Sequence, residues 1–337
     1  MSHALTQGWL PLDFELDPEP AVVTTASVRW MYFGSDPLNE PFFLQTVDKI
    51  REDPRRQIDV ETSTDALFRL TETLPEVSPA GFIFHISHCG STLISNALRT
   101  APSTVVAAEA TPFVRLARWY PEAPQRYLAE RWQRTRRCLF EATFRSFAHY
   151  HTGETERLVV KFSSLNLFAM RFVRQCWPQT PCVVVVRDPL AVLVSSLNEA
   201  GWLGQKSEPG QPEALYGWRD TPQPFAEMKN EEFCARLLGR HLEAALEAVD
   251  DGCKVIDYED LNPKRMREIA EFFGLKLPDE PERIKQVFSG YSKDPAKATP
   301  FRDDRAMKRR LASRAAVDAA TKWAMPAYVE LRGRGAW

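Results

Sequence analysis

Three groups of residues in this chain are placed where they could bind an anion. The hexapeptide Ser87-His88-Cys89-Gly90-Ser91-Thr92 follows the apolar run Phe82–Ile86 and leads into an amphipathic stretch. Gly90 lets the backbone turn tightly and approach a ligand closely. Ser91 and Thr92 fit the start of a helix, where free N–H groups, hydroxyls and the positive dipole end favour negative charge. Arg187 directly follows the run Cys182–Val186. Its guanidinium therefore falls at the carboxyl end of a strand, suited to bidentate phosphate binding. Ser195 comes eight residues later, two turns into the next helix and within reach of the same anion.

Two common nucleotide fingerprints are absent. The ATP-type loop G-x-x-x-x-G-K-[ST] lacks its first Gly and its Lys before Ser91, and no G-x-G-x-x-G occurs at this strand–helix turn. The plainer reading of the hexapeptide is an ordinary Ser/Thr helix cap, and that of Arg187 a surface pair with Asp188.

With these residues in view, the sequence resembles the sulfotransferases that use 3′-phosphoadenosine-5′-phosphosulfate (PAPS) as sulfuryl donor. The family's 5′-phosphosulfate loop corresponds to His88-Cys89-Gly90-Ser91-Thr92. VVVVRDPLAVLVSS resembles its 3′-phosphate motif, which implies Arg187 and Ser195 as phosphate ligands. KVIDYEDLNPKRMREIAEFFGL (Lys254–Leu275) is similar to its late strand and helix. The three motifs stand in family order from Phe82 to Leu275.

The resemblance implies further roles. Glu109, after the apolar run Val105–Ala108, resembles the general base of protein-tyrosine sulfotransferases and many bacterial relatives; the plainer reading is a partner for Arg115 or a helix cap. Lys161, at the end of Leu158–Phe162, resembles the lysine that stabilises charge on the bridging oxygen; otherwise it is a snorkelling side chain. Ser163 and Ser164 are weaker contacts. Lys293 and Arg302 lie in the basic stretch SGYSKDPAKATPFR, like a C-terminal loop that closes over the nucleotide. Tyr258 is a candidate nucleotide contact or a core tyrosine. Trp202, Trp218 and the N-terminal aromatics could line the acceptor site or simply pack a lid.

His88 departs from the family, which has Lys or Arg there. A histidine is charged only below a pKa near 6.5. A neighbouring phosphosulfate would raise that value, so the sequence predicts a pH-sensitive His88 with Lys161 carrying more of the electrostatic burden. His85, inside the strand, reads as a core residue or one behind the site.

The elements that must position these groups alternate in type. Short apolar runs at Phe82–Ile86, Leu158–Phe162, Cys182–Val186 and Lys254–Tyr258 read as strands buried on both faces. Helices are expected over Ser91–Arg99, Gln125–His151, Leu165–Cys176, Leu190–Ala200, Asn230–Val249 and Pro263–Phe273, then near Arg305–Ala316 and Thr321–Leu331. Such alternation predicts an α/β fold with a mostly parallel central sheet covered by helices on both faces. The resemblance makes it a three-layer fold of the P-loop type. Residues 1–79 read as an N-terminal extension packing on the core, with a helix at Pro41–Arg51 and a further helix with loops in Asp59–Pro75. Residues 80–337 form the expected catalytic domain, with a lid-like insert at 201–228 and a basic loop and helices at 278–337.

Composition narrows the function. The 337 residues are 44% hydrophobic and 26% charged, and 43 Lys+Arg against 45 Asp+Glu give a net charge of −2. That balance argues against nucleic-acid and membrane partners. Six scattered cysteines without C-x-x-C spacing read as reduced buried thiols. With no signal peptide and no apolar span, a cytoplasmic location is expected. The expectation is sulfuryl transfer from PAPS, without a metal, to a hydroxyl or amine of a small molecule, glycan or peptide, leaving adenosine 3′,5′-bisphosphate. A catalytically weak nucleotide-binding relative and a P-loop kinase are the alternatives. No dimer motif is evident, and no oligomeric state is assigned.

Overall fold

The chain opens with strands β1 (Trp9–Glu15), β2 (Ser27–Tyr32) and β3 (Asp59–Ser63), which pair antiparallel in that order. The computed structural model describes residues 8–16, 27–56, 59–118, 126–150, 156–198, 200–206, 225–290, 292–294 and 305–334. This small sheet is a correction to the sequence reading, which had only helices and loops before Pro79. Asp59–Pro75 divides into β3 and the helix Thr64–Glu72. The acidic, Thr-rich composition of β3 hides it, but Trp30 pairs with Val60 across the ladder and its indole N–H donates to Thr62 Oγ1 at 2.8 Å. A register shift between Pro11 and Asp13 similarly breaks the alternation of β1.

The second sheet has five parallel strands: β4 (Gly81–His85), β5 (Thr104–Ala108), β6 (Arg157–Lys161), β7 (Cys182–Val186) and β8 (Cys253–Asp257), in the order β5-β6-β4-β7-β8. β4 and β7 are buried at every residue, as expected for runs of Phe, Ile and Val covered on both faces. The expected α/β class with a parallel sheet under helices is therefore observed. From central β4 the chain crosses first to β5 and later to β7 on the other side. The carboxyl end of β4 is thus a topological switch point, where open α/β sheets bind ligands.

Local chemistry sets the helix starts. Asp188 caps Pro189–Leu197, its Oδ1 accepting from Leu190 N at 2.8 Å, with Pro189 at the first helical position. Asn262 caps Pro263–Phe272 likewise. Where one helix was expected over Arg305–Ala316, the chain forms Arg305–Leu311 and then Arg314–Trp323. Ser313 makes the break, its hydroxyl accepting from Ala316 N at 3.1 Å. A further helix, Met325–Arg334, follows. Of the expected lid, residues 207–224 lie outside the described residues. Its first part forms a helix, Ala200–Gln205, with Trp202 buried against His241. No helix among the described residues is long and apolar enough to cross a membrane.

The N-terminal and C-terminal parts share one apolar core. Phe33 and Phe43 stack 5.5 Å apart, Phe43 meets Phe147 at 5.8 Å, and Gly8 N–H donates to Tyr150 O at 3.1 Å. Asp13 pairs with Arg115 through two bonds of 3.1 Å.

Candidate active site

The turn after β4 carries an unusual backbone. Ser87 and His88 have φ of 73° and 48°, and Gly90 has 82°. Non-glycine residues rarely enter this left-handed region, and each does so at a cost of ~1–2 kcal/mol. The turn delivers the chain into the helix Ser91–Leu98, with Gly90 as its cap. A Cβ at Gly90 would also stand 2.5 Å from Leu261 Cδ1 and 2.9 Å from Tyr258 Cδ2, so those side chains would have to shift.

This loop forms the floor of a cavity of about 360 Å³. Residues from His88 to Thr92 line it, joined by Glu109, Arg187, Tyr258 and Lys293, so the structure gathers most of the residues that sequence reasoning named. Arg187 lies over the Tyr258 ring, 4.1 Å from its centroid, and donates from Nη1 to the His88 carbonyl at 3.0 Å. It is not a surface partner of Asp188, which caps its helix and pairs with Arg309 at 3.1 Å. Two candidates do not line the cavity: Lys161 is buried beneath it, and the Ser195 hydroxyl donates to Ala191 O at 2.9 Å. Arg302, Lys297 and Trp218 lie outside the described residues.

Glu109 sits just past β5 with φ of 51°, and its N–H donates to Lys161 O at 2.7 Å. Lys161 Nζ also donates to Glu109 Oε1. The lysine side chain is only 1% exposed and the glutamate 26%, so Lys161 is buried behind the carboxylate rather than snorkelling to solvent. Arg115, the other possible partner of Glu109, is taken by Asp13. Burial works against the Glu109 charge, but Lys161 and then His85 outweigh it and hold the carboxyl below its ordinary range. Burial pulls Lys161 down from the usual lysine value while Glu109 supports its charge. Phe42 covers this pair, its ring centroid 5.1 Å from Lys161 Nζ.

The His88 imidazole is pushed down to about 3, first by burial and then by Lys293, Lys308 and Arg187. The cations already lining the cavity act on His88 in the opposite sense to the anion weighed in the sequence. His88 is therefore neutral in the ligand-free cavity. Burial likewise pushes the Cys89 thiol up, leaving it protonated and inert.

Several lining residues were not among the sequence candidates, Lys308 the one with the clearest charge. Lys308 comes from the run Lys308-Arg309-Arg310, whose basic patterning was the available signal. Phe42 is the one N-terminal aromatic among the lining residues, from the group that the sequence offered for the acceptor site. His85, read from the sequence as a core residue or one behind the site, is nearly fully buried and touches the cavity wall beside Glu109. The segment carrying Lys293 is tied across the cavity: Asn96 Nδ2 donates to Ser292 O at 2.9 Å and Gln45 Nε2 to Lys293 O at 3.5 Å.

A helix N-terminus, Arg187, Lys293 and Lys308 thus face one cavity, an arrangement that favours anionic charge. A family model for the sulfotransferase family matches residues 82–279, more than half the chain, and the chain belongs to that family. It is a sulfotransferase enzyme. The matched span includes the loop, Glu109, Lys161, Arg187 and Tyr258, while Phe42 and the two cavity lysines lie beyond it.

The solved structures it is similar to include a sulfotransferase from Alicyclobacillus acidocaldarius, at 14% identity over 76% of this chain and 95% of that one, with a TM-score of 0.40. Another is from Mycobacterium avium, at 12% identity over 86% and 81%, with a TM-score of 0.43. A third is from Mycobacterium tuberculosis H37Rv, at 16% identity over 64% and 72%, with a TM-score of 0.42. No curated protein matches the chain.

Proposed function

We propose that this chain transfers a sulfuryl group from PAPS to a hydroxyl or amine acceptor, with Glu109 as general base. The observation that carries the reading is a carboxylate, held by Lys161, on the same cavity as the cation-lined loop. The loop, Arg187, Lys293 and Lys308 are the groups to hold the donor's phosphates; the donor supplies the sulfuryl group that moves. Sulfuryl transfer follows the logic of phosphoryl transfer, in which positioning and electrostatic stabilisation do most of the work. Glu109 takes the acceptor's proton as the new bond to sulfur forms, and the bond to adenosine 3′,5′-bisphosphate breaks.

A carboxylate held below its usual range is a weak base at rest. Lys161 supplies the remedy, because its one ammonium serves whichever neighbour carries more negative charge. As negative charge develops in the cavity, Lys161 shares its field with that charge, and the Glu109 carboxylate gains basicity without losing its contact.

The test measures sulfur-35 transfer from labelled PAPS onto small-molecule, glycan and peptide acceptors, beside calorimetry with the bisphosphate. Glu109→Gln is expected to lower transfer by about 10²- to 10⁴-fold while keeping bisphosphate affinity. Undiminished transfer by Glu109→Gln would move the base elsewhere. Failure of the wild-type chain to bind the bisphosphate would overturn the donor.

A further inference from the structure

Glu109 meets both of its neighbours through a single oxygen. Lys161 Nζ donates to Oε1, and Nε2 of His85 stands 3.4 Å from the same atom. On the other side of the ring, Ser87 N–H donates to His85 Nδ1 at 3.1 Å. Burial and the facing Lys161, reinforced by Lys293, outweigh Glu109 and lower the His85 pKa, so the ring is neutral. His88 and His241 are the other titratable rings that act on it or feel it. A neutral imidazole whose Nδ1 accepts carries its proton on Nε2. That proton has no partner of ordinary hydrogen-bond geometry, and it points to the carboxylate.

We propose that His85 is a positioning residue for the base: its Nε2–H and Lys161 together anchor Oε1 and leave Oε2 to take the acceptor's proton. The same ring fixes the Ser87 amide at the mouth of the anion loop, so it joins the donor side of the cavity to the base. This deepens the function proposed above and rests on Glu109 being that base. The 3.4 Å separation is longer than an ordinary N–H···O bond, as catalytic contacts often are before ligands bind. Without the second anchor, the carboxylate pivots about its contact with Lys161, and an error of about 1 Å at a reacting group can cost on the order of 10²-fold in rate.

Two isosteres separate this role from a purely structural one. His85→Asn keeps an acceptor near Nδ1 for Ser87 but presents no donor to Glu109. His85→Gln carries an amide N–H toward the position of Nε2. The Glu109 carboxyl can be followed by carbon-13 NMR in protein labelled at glutamate Cδ, its signal assigned by loss in Glu109→Gln. Turnover is read as sulfur-35 passed from PAPS to 2-naphthol and to water, and loop integrity as bisphosphate affinity.

His85→Asn is expected to raise the pH at which Glu109 titrates and to lower kcat about 10- to 100-fold. The KM for PAPS and bisphosphate affinity should hold, and His85→Gln should recover most of both lost properties. An unchanged titration and kcat in His85→Asn would overturn the proposal. So would a loss confined to donor KM and bisphosphate affinity, which would assign His85 to the loop alone. Full turnover by Glu109→Gln would remove the base itself; that failure is distinguishable, because the carboxyl titration would still respond to His85→Asn.

Discussion

Arg187 does two jobs with one planar group. It stacks on Tyr258 and holds the His88 carbonyl, so its guanidinium enters the cavity already oriented. A lysine keeps the charge but neither the stack nor the fork. Arg187→Lys is therefore expected to weaken bisphosphate binding about 10-fold, equivalent to ~1.4 kcal/mol, measured by calorimetry. Unchanged affinity would mean that only charge matters at this position.

The buried histidines make a separate expectation about acid. His88 and His241 are both pushed down to about 3, mainly by burial, and are neutral in the folded chain. In the unfolded chain they take protons near pH 6.5. Between those values the unfolded chain binds more protons, so stability rises with pH and is lost as pH falls below about 6.5. Scanning calorimetry from pH 7 to 5 should show a falling midpoint. His241→Phe, placed between Phe168 and Trp202, should flatten the fall; an unaltered slope would exclude His241 as a source.

At the scale of elements, the site depends on where strands stop. The loop follows β4, Glu109 follows β5, Lys161 ends β6 and Arg187 follows β7, so four neighbouring strands each deliver one group to the same end of the sheet. That much was legible in the sequence, because short apolar runs announce buried strands and the polar residues at or just past their ends announce the carboxyl edge. The antiparallel sheet was not legible. β3 reads Asp-Val-Glu-Thr-Ser, a composition that fits a helix start as well as an edge strand, and only pairing with β2 decides it. The detailed setting of His85 was not legible for a related reason: its position inside β4 tells which residues flank it, not that Ser87 turns back to orient its ring. Gly90→Ala tests the loop as an element. With φ of 82° and Leu261 in the way, it is expected to cost ~1–2 kcal/mol. A thermal midpoint lower by a few degrees should accompany weakened bisphosphate binding; wild-type values for both would show that the turn relaxes freely.

At the scale of the whole molecule, the two sheets are joined by apolar contacts rather than by a loose linker. Phe33, Phe43 and Phe147 pack in sequence across the boundary. Asp13 with Arg115 adds an exposed pair of small worth, ~0–1 kcal/mol. Contacts of this kind predict joint unfolding. Tryptophan fluorescence, to which Trp30 in β2 contributes, and far-ultraviolet circular dichroism should give one urea midpoint. Two separated transitions would make the N-terminal sheet an independent unit.

The cavity is closed by residues from opposite ends of the described chain, Phe42 on one side and Lys293 and Lys308 on the other. Such a wall closes one of the long loops among the described residues. Helices and the central strands can form from nearer neighbours while the wall waits for its long closures. Competence to hold a ligand is accordingly expected to trail the helical signal on refolding, so a chain with full circular dichroism can still fail to bind the bisphosphate.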